Sequence, residues 1–522
     1  MTNEILNYLK DKGILLEKEL FDSVLKIDNV DVAKNLIEGM EKTSGQKIIT
    51  KSSLSKNTSY LKKFVSEMPG DAGKTVVDSI FVNLGINLEV TRETKVVEKV
   101  KEEPSSFPLS YKIFSPSIKV DKKLEVSDFV GNFRSRYQQI QKILMARPNL
   151  KNLMAIGKIS GDRQVLSFIG IVTEKRVTKN KNLMIKFEDL TGTIQAFVKA
   201  DNQDIYSIAN ELQLDDVVGI RASGNKDIVF IHEILFPDSF LPEKTKFDEE
   251  VCVAFLSDVH CGSDRHLGKE FNHFLDWINS DDESAKKIKY VFFTGDNVDG
   301  VGIFPGQERV LELKSMKEQY QLLASYLRRM PKRITMFMCP GQHDASRVAE
   351  PQPIIDKKYA PELYEIDNLV LLTNPSYVHL LEKDKEFKIL MYHGASIHTF
   401  INEIPELREI KAHRSPAKAV RHMLKRRHLA PQHSDVTYIP NKDSDPLVIT
   451  EVPDVLCTGE VHRPDIENYN GTLIITGSCW QSQTDFEEKV GNIPDPAKVP
   501  VLNLKTRELK LLDFSGEDTN ES

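Results

Sequence analysis

The sequence predicts a multidomain chain: a large C-terminal α/β domain, preceded by a small all-β barrel and a helical N-terminal domain. Three observations predict it. Five apolar, strand-like runs between 251 and 458 each end in a cluster of Asp, His, Asn, Gln or Glu, as buried strands of an α/β sheet do. Between 150 and 240, five further strand-like runs are interrupted after the third by a helical segment. Over the first 88 residues, apolar side chains recur at helical spacing instead. At 522 residues the chain exceeds what one compact core holds, so two to four domains are expected.

Residues 1–88 read as a helical interaction domain, with Ile5, Leu9, Leu15, Leu16, Phe21, Val24, Leu25 and Ile27 near helical spacing and Ser52 and Ser55 as helix caps. Periodicity then dissolves. The Lys-, Glu-, Ser- and Pro-rich stretch 89–125 offers too little apolar area to offset its ordering entropy and reads as a flexible linker. A helix follows, striped by Phe129, Phe133, Tyr137, Ile140 and Leu144. The runs VLSFIGIVTEKRV, NLMIKFEDL and GTIQAFVK, the helical DIYSIANEL, then VVGIRAS and DIVFIHEILF give three strands, a helix and two strands. That is the order of an OB-fold, so 126–240 is assigned to a helix plus OB domain. Lys175, Arg176, Lys179 and Lys181 lend it charge, but stacking aromatics are not evident, so subunit docking competes with nucleic-acid binding. The α/β domain takes 241–515, and 516–522 forms an acidic tail.

A net charge of -7 argues against wholesale coating of nucleic acid while allowing a local basic face. Five cysteines without a CxxC pair argue against a disulfide framework and a thiolate zinc site. Neither a membrane-spanning run nor a signal-peptide core is visible, which places the chain in the cytosol.

The chemistry is expected at the strand ends. Cys252 to Leu256 leads into Ser257-Asp258-Val259-His260, and Tyr290 to Thr294 leads into Gly295-Asp296-Asn297-Val298-Asp299-Gly300. Ile334 to Met338 leads into Gly341-Gln342-His343-Asp344, Phe387 to Tyr392 into His393-Gly394, and Val455 to Thr458 into Gly459-Glu460-Val461-His462. Alternation along an extended segment would put Asp258 and His260 on one side. Carboxylates mixed with imidazoles suit manganese, iron or zinc, and two such ions sharing a carboxylate would clamp a phosphoryl group and activate water.

On these motifs the stretch from about 250 to 510 resembles the calcineurin-like metallophosphoesterases, whose fold is a two-sheet sandwich flanked by helices. SDVHCGS, GDNVDGVG with FPGQE, PGQHDASRVAEPQP and HRSPAKAVRHMLKRRHLAP narrow it to the small subunits of archaeal family D DNA polymerases. The resemblance implies one metal on Asp258, His260, Asp296 and His462, with Asp296 bridging to a second on Gln342, His393 and Glu460. It also implies His343 as the catalytic imidazole, with Asp344 able to orient it. Gln342 and Glu460 stand where the superfamily usually has Asn and His; both can offer oxygen, which shifts the second site toward manganese or magnesium.

Arg414, Lys418, Arg421, Lys425 and His428 step by four and three through the most basic stretch, 411–428, and share one helical face. Val420, Met423 and Leu424 point the other way, and Pro416 suits the first turn. Such a face reads as a solvated surface, a track for DNA phosphates or a dock for an acidic partner.

The leading expectation is therefore a manganese-dependent 3′-to-5′ proofreading exonuclease, acting on single-stranded or mismatched DNA 3′ ends and associated with the nucleoid. It would form a heterodimer or larger assembly with a large catalytic polymerase subunit, since no polymerase constellation is visible here, and could contact the sliding clamp. The rivals are a scaffold subunit with a decayed metal site, and a stand-alone phosphatase for small esters.

Overall fold

The computed structural model describes residues 2–25, 30–44, 46–50, 110–116 and 123–516. Ser52, Ser55, most of the stretch 89–125 and the tail beyond 516 lie outside the described residues. The chain divides into two compact units, Met1–Glu93 and Thr94–Ser522.

In the first unit, helices Thr2–Lys12, Lys18–Val24 and Val30–Ser44 close over Ile5, Leu9, Leu20, Val24, Leu36, Ile37 and Met40. Leu15 and Leu16, expected in a helix, instead form strand β1 (Leu15–Leu16), parallel to β2 (Ile48–Ile49). Gly13, at φ 65°, breaks the first helix and turns the chain into that strand.

The second unit begins with a correction to the expected linker. Residues Ser110–Phe114 form β3, an edge strand paired antiparallel with β13 (Ser376–Glu382). Period-two patterning in SYKIF is too short to stand out from a charged, Pro-rich context. The strand is recruited by its neighbours: Tyr111 packs edge-on against Phe337, and Lys112 pairs with Glu386 at 2.7 Å.

Strands β4 (Gln164–Val177), β5 (Leu183–Asp189), β6 (Gly192–Val198), β7 (Val217–Gly224) and β8 (Ile228–Leu235) form a closed barrel in the order β4-β5-β6-β8-β7. Helix Gln203–Glu211 lies between β6 and β7 in the chain. Leu183, Ile185 and Phe187 are fully buried while Met184 and Lys186 are not, the alternation of a half-buried strand.

Two six-stranded sheets make up the rest. One runs β12 (Leu369–Leu371), β11 (Thr335–Cys339), β10 (Ile288–Thr294), β9 (Cys252–Leu256), β18 (Lys498–Asn503), β19 (Leu509–Asp513). The other runs β16 (Asp465–Tyr469), β17 (Thr472–Thr476), β15 (Val455–Thr458), β14 (Lys385–Met391), β13, β3. Val253, Phe255, Phe292 and Phe337 of the first sheet share one core with Val378, Ile389, Val455 and Ile475 of the second, so the sheets pack face to face. The opposite face of the first sheet is covered by helices Gly268–Ile278 and Met316–Leu327, and that of the second by Ile397–Glu403 and Ala417–Arg426. Strands buried on both faces have no polar side to show, which is why they read as continuous apolar runs.

The sequence groups helix Val126–Met145 with the barrel, and Tyr137 does donate its hydroxyl to Ile169 O at 3.0 Å. Its buried Arg136 and Asn132, however, bond Asp445 at 2.7 and 3.1 Å. The helix therefore pins the barrel to the α/β portion, and 126–240 and 241–515 lie within one compact unit. Among the described residues no helix is long and apolar enough to cross a membrane, and all five cysteines are buried and free.

Candidate metal centre

β9, β10, β11, β14 and β15 end at the same edge of the two packed sheets, and each releases its polar cluster there. Asp258 and His260 are not on an extended segment, contrary to the alternation expected: their φ angles are 51° and 48°. Asp296, Glu460 and His462 are also left-handed, at 46°, 74° and 58°. Five non-glycine residues in this costly region mark a loop geometry held by its surroundings. Gly295 and Gly341 allow that closeness. A Cβ at 295 would lie 2.3 Å from His393 Nδ1, and one at 341 would lie 2.2 Å from Asp296 Oδ1.

Ligand-capable atoms of Asp258, His260 and His462 lie within 4.8 Å of one another, as do those of Asp258, Asp296 and His393. The hydrogen bonds decide the tautomers. His260 Nδ1 faces Asp299 Oδ1 at 3.0 Å, and His462 Nδ1 faces Glu487 Oε1 at 3.0 Å; a carboxylate only accepts, so both Nδ1 atoms carry hydrogen. The two Nε2 atoms then face each other at 3.2 Å. His393 Nδ1 donates to Thr294 O at 2.9 Å, and its buried Nε2 has no hydrogen-bond partner while standing 3.2 Å from Asp296 Oδ2 and 3.1 Å from Glu460 Oε2. Opposed lone pairs beside buried carboxylates are unfavourable unless a cation or proton sits among them, so this donor set fits divalent metal ions. Burial opposes charge on His393, yet Asp296 and Glu460 push its pKa well above the ordinary imidazole value. Burial likewise raises Asp296, but His393, His343 and His260 outweigh it and hold the carboxyl well below its usual range.

Gln342 donates its Nε2 to Glu460 Oε2 at 2.6 Å, so its amide lies beside the carboxylate of the expected second site. His343 donates its backbone N–H to Asp296 Oδ1 at 2.8 Å, and its Nδ1 bonds Asp299 O at 2.6 Å. Its Nε2 stands 4.0 Å from Asp296 Oδ2, on a side chain that remains 22% exposed. Burial lowers the His343 pKa, but the charges of Asp296 and Asp299 raise it beyond the ordinary value.

Asp344 does not orient that imidazole. Its Oδ2 accepts from the backbone of Gly341 and Asn297 and from Asn297 Nδ2, and its Oδ1 from the Tyr320 hydroxyl at 3.1 Å. It clamps the loops carrying Asp296 and His343, and burial followed by the Asp296 charge pushes its pKa up to about 6. The orienting role falls to the carbonyl of Asp299, whose side chain also binds His260, Gln307 and Gln481. Asp299 had only the repeated Asp in GDNVDG as a signal, and Glu487 only the capping box it forms with Thr484. His398, 3.5 Å from Glu460 Oε1, had none.

The basic stretch forms a helix only over Ala417–Arg426, with Val420, Met423 and Leu424 fully buried. Arg414 is exposed and Lys418 half-buried. Arg421 is shared by Glu406 and Glu467 at 3.1 and 3.7 Å. Lys425 is neutralised by Glu211 of the barrel at 2.6 Å and lies over the Phe236 ring. His428 is off the helix, fully buried and bonded to Asp445. The expected five-residue cationic face is thus reduced to Arg414 and Lys418; Lys425 and Arg426 bond Glu211 and Asp216 of the barrel, while Val420, Met423 and Leu424 pack into the α/β core.

A family model describing the B-subunit of DNA polymerases alpha/epsilon matches residues 253–466. A DNA polymerase II small subunit of Thermoplasma acidophilum is 30% identical over 515 residues, 98% of this chain and 92% of that protein. One of Methanothermobacter thermautotrophicus is 37% identical, over 75% of this chain and 80% of its own. One of Pyrococcus furiosus is 36% identical over 75% of this chain, which spans only 64% of that longer protein. Among solved structures, one of a tRNAIle2 agmatidine synthetase is similar over 20% of the chain with a TM-score of 0.14, too little to support any inference.

Proposed function

Because the chain belongs to the archaeal DNA polymerase II small subunits, the small-subunit family of family D polymerases, we propose that it holds two divalent ions and acts as a 3′-to-5′ DNA exonuclease. In this reading it works beside a large polymerase subunit that carries out synthesis, in a metallophosphoesterase fold whose strand ends form the site. The carrying observation is the set of three imidazoles, buried His260 and His393 and half-buried His462, whose Nδ1 atoms are tied down and whose Nε2 atoms face Asp258, Asp296, Glu460 or one another.

Asp258, His260, Asp296 and His462 would hold one ion, and Asp296, His393 and Glu460 the other. When bound, the ions would neutralise phosphoryl charge and make water more acidic; manganese suits the mixed oxygen and nitrogen donors, with magnesium, iron or zinc as alternatives. Asp299 and Glu487 fix the ring orientation of His260 and His462. Replacing Asp299 by Ala is expected to weaken manganese binding about 10- to 100-fold, read by calorimetric titration. His343, held through Nδ1, presents Nε2 to protonate the departing 3′ oxygen of a DNA strand. Arg414 and Lys418 would meet backbone phosphates.

The test compares the full chain, alone and with its large subunit, on 3′-end single-stranded DNA and on a small aryl phosphate with manganese. Two bound ions per chain and DNA hydrolysis abolished by a chelator are expected. Aryl phosphate as the sole substrate would point to a small-ester phosphatase. The Gln342–Glu460 hydrogen bond favours a second reading, a scaffold subunit with a closed second site. One ion or none, with no hydrolysis, would establish it.

A further inference from the structure

We propose that His398 is a positioning residue for the second metal site, holding Glu460 from the solvent side so that its carboxylate stays turned toward His393. The inference rests on the two-ion reading above.

Glu460 has a longer stem than the aspartates of the site, and a carboxylate on such a stem must be ordered before it can bind an ion well. Its backbone N–H donates to the Asp258 carboxylate at 3.2 Å, and Oε2 is fixed by Gln342 Nε2 at 2.6 Å beside His393 Nε2 at 3.1 Å. These contacts all come from the interior. The other oxygen, Oε1, faces His398 Nε2 at 3.5 Å. His393 and His398 are five residues apart, so one short segment brackets a single carboxylate with an imidazole at each oxygen.

That segment is rigid. Gly394, at φ 120°, lets the backbone pass so close that a Cβ there would lie 3.2 Å from Glu460 Cβ. Ser396 donates its hydroxyl to Leu429 O at 2.5 Å, and Ile397, Phe400 and Ile401 are buried in the first turns of the following helix. His398 therefore projects from a fixed base at the mouth of the site, with 42% of its side chain exposed. The His413 ring packs against it at a centroid distance of 5.4 Å. His413 belongs to the 3-10 turn Ala412–Arg414, so the ring that steadies His398 adjoins the exposed Arg414.

The experiment titrates manganese into the full-length wild type, His398→Ala and His398→Gln by calorimetry, with the resonance spectrum of the coupled Mn2+ pair as a second readout. Wild type is expected to take two ions. His398→Ala should keep the first at unchanged affinity and bind the second about 10- to 100-fold more weakly, the usual effect of losing a group that orients a metal ligand. His398→Gln, which keeps a donor at similar reach, should recover most of the loss. Two ions bound by His398→Ala as tightly as by wild type would overturn the proposal, as would equal weakening of both ions or failure of Gln to recover. Wild type binding fewer than two ions would overturn the two-ion reading itself and this inference with it.

Discussion

Replacing His343 by Ala is expected to slow manganese-dependent DNA hydrolysis about 10²- to 10⁴-fold, the usual contribution of a positioned acid or base, while ion binding is retained. The hydrogen bond that His343 makes with the Asp296 carboxylate is from its backbone N–H at 2.8 Å, which alanine keeps. Only the ring is lost, with its bond to Asp299 O and its Nε2 at 4.0 Å from Asp296 Oδ2. A split between hydrolysis and metal content is therefore the signature. The pH profile adds a second one. The carboxylates raise the His343 pKa above the ordinary imidazole value, so the proton-donating form is lost at a higher pH than for a free imidazole. Wild-type activity should fall on the alkaline side through this step, and the variant should lack it. Full activity in the variant would remove His343 from the mechanism.

Asp445→Ala should be the most destabilising of the substitutions considered, by about 3–5 kcal/mol, because it leaves a buried cation without its partner. Arg136 and Asp445 are 1% and 2% exposed and 2.7 Å apart. Asp445 Oδ2 also accepts from Asn132 Nδ2 at 3.1 Å and His428 Nε2 at 3.1 Å, and Oδ1 from the Leu447 backbone at 3.0 Å. Urea unfolding would show the loss as a lower midpoint. A paired Arg136→Met, Asp445→Leu variant should regain most of it, since an apolar pair removes the uncompensated charge. An unchanged midpoint for Asp445→Ala would show that the helix is held by its apolar stripe alone.

His428 of this cluster and His422 beside Glu211 add a pH-dependent contribution to stability. His428 accepts from Ala430 N through Nδ1, so the ring is neutral with its hydrogen on Nε2. Burial, then Arg136, lowers its pKa to about 4, and burial also lowers His422 to about 4. Unfolded histidines titrate near 6.5. Between these values the two histidines bind more protons in the unfolded chain, so their own contribution to stability should fall as pH drops from about 6.5 to about 4. Glu350, Asp435 and Asp344, whose burial raises their pKa to about 8, 7 and 6, act in the opposite direction.

The strand-end motifs are legible in the sequence because both their parts are local. An apolar run such as Tyr290 to Thr294 reports a strand buried on two faces, and the polar cluster after it reports the strand's end. The alternation within Leu183 to Phe187 is local in the same way. Expectation and structure part where local pattern meets a distant partner. Asp258 and His260 have the spacing of an extended pair, yet backbone bonds to Gly295 and Asp296 fold both into left-handed turns. SYKIF has the composition of a linker, and β13, more than 260 residues away, supplies its ladder. Asp344 stands next to His343 in the chain, whereas its carboxylate bonds Gly341, Asn297 and Tyr320 instead.

By itself, then, the sequence determined which strands end in polar clusters and which types of donor each delivers to the candidate site, because hydrophobic period and residue chemistry are written within a few positions. It also determined that residues 411–428 are densely basic. Only the tertiary structure decided what those donors face: His260 meets His462 across 202 positions of chain, and Glu211 of the barrel neutralises Lys425 across 214. Lone pairs, buried charges and hydrogen-bond partners are properties of atoms brought together in space, and spacing along the chain does not encode them. Gln342, His393 and His398 show that difference most clearly, since their types were legible or unremarkable in isolation and their meaning lies in the Glu460 carboxylate they share.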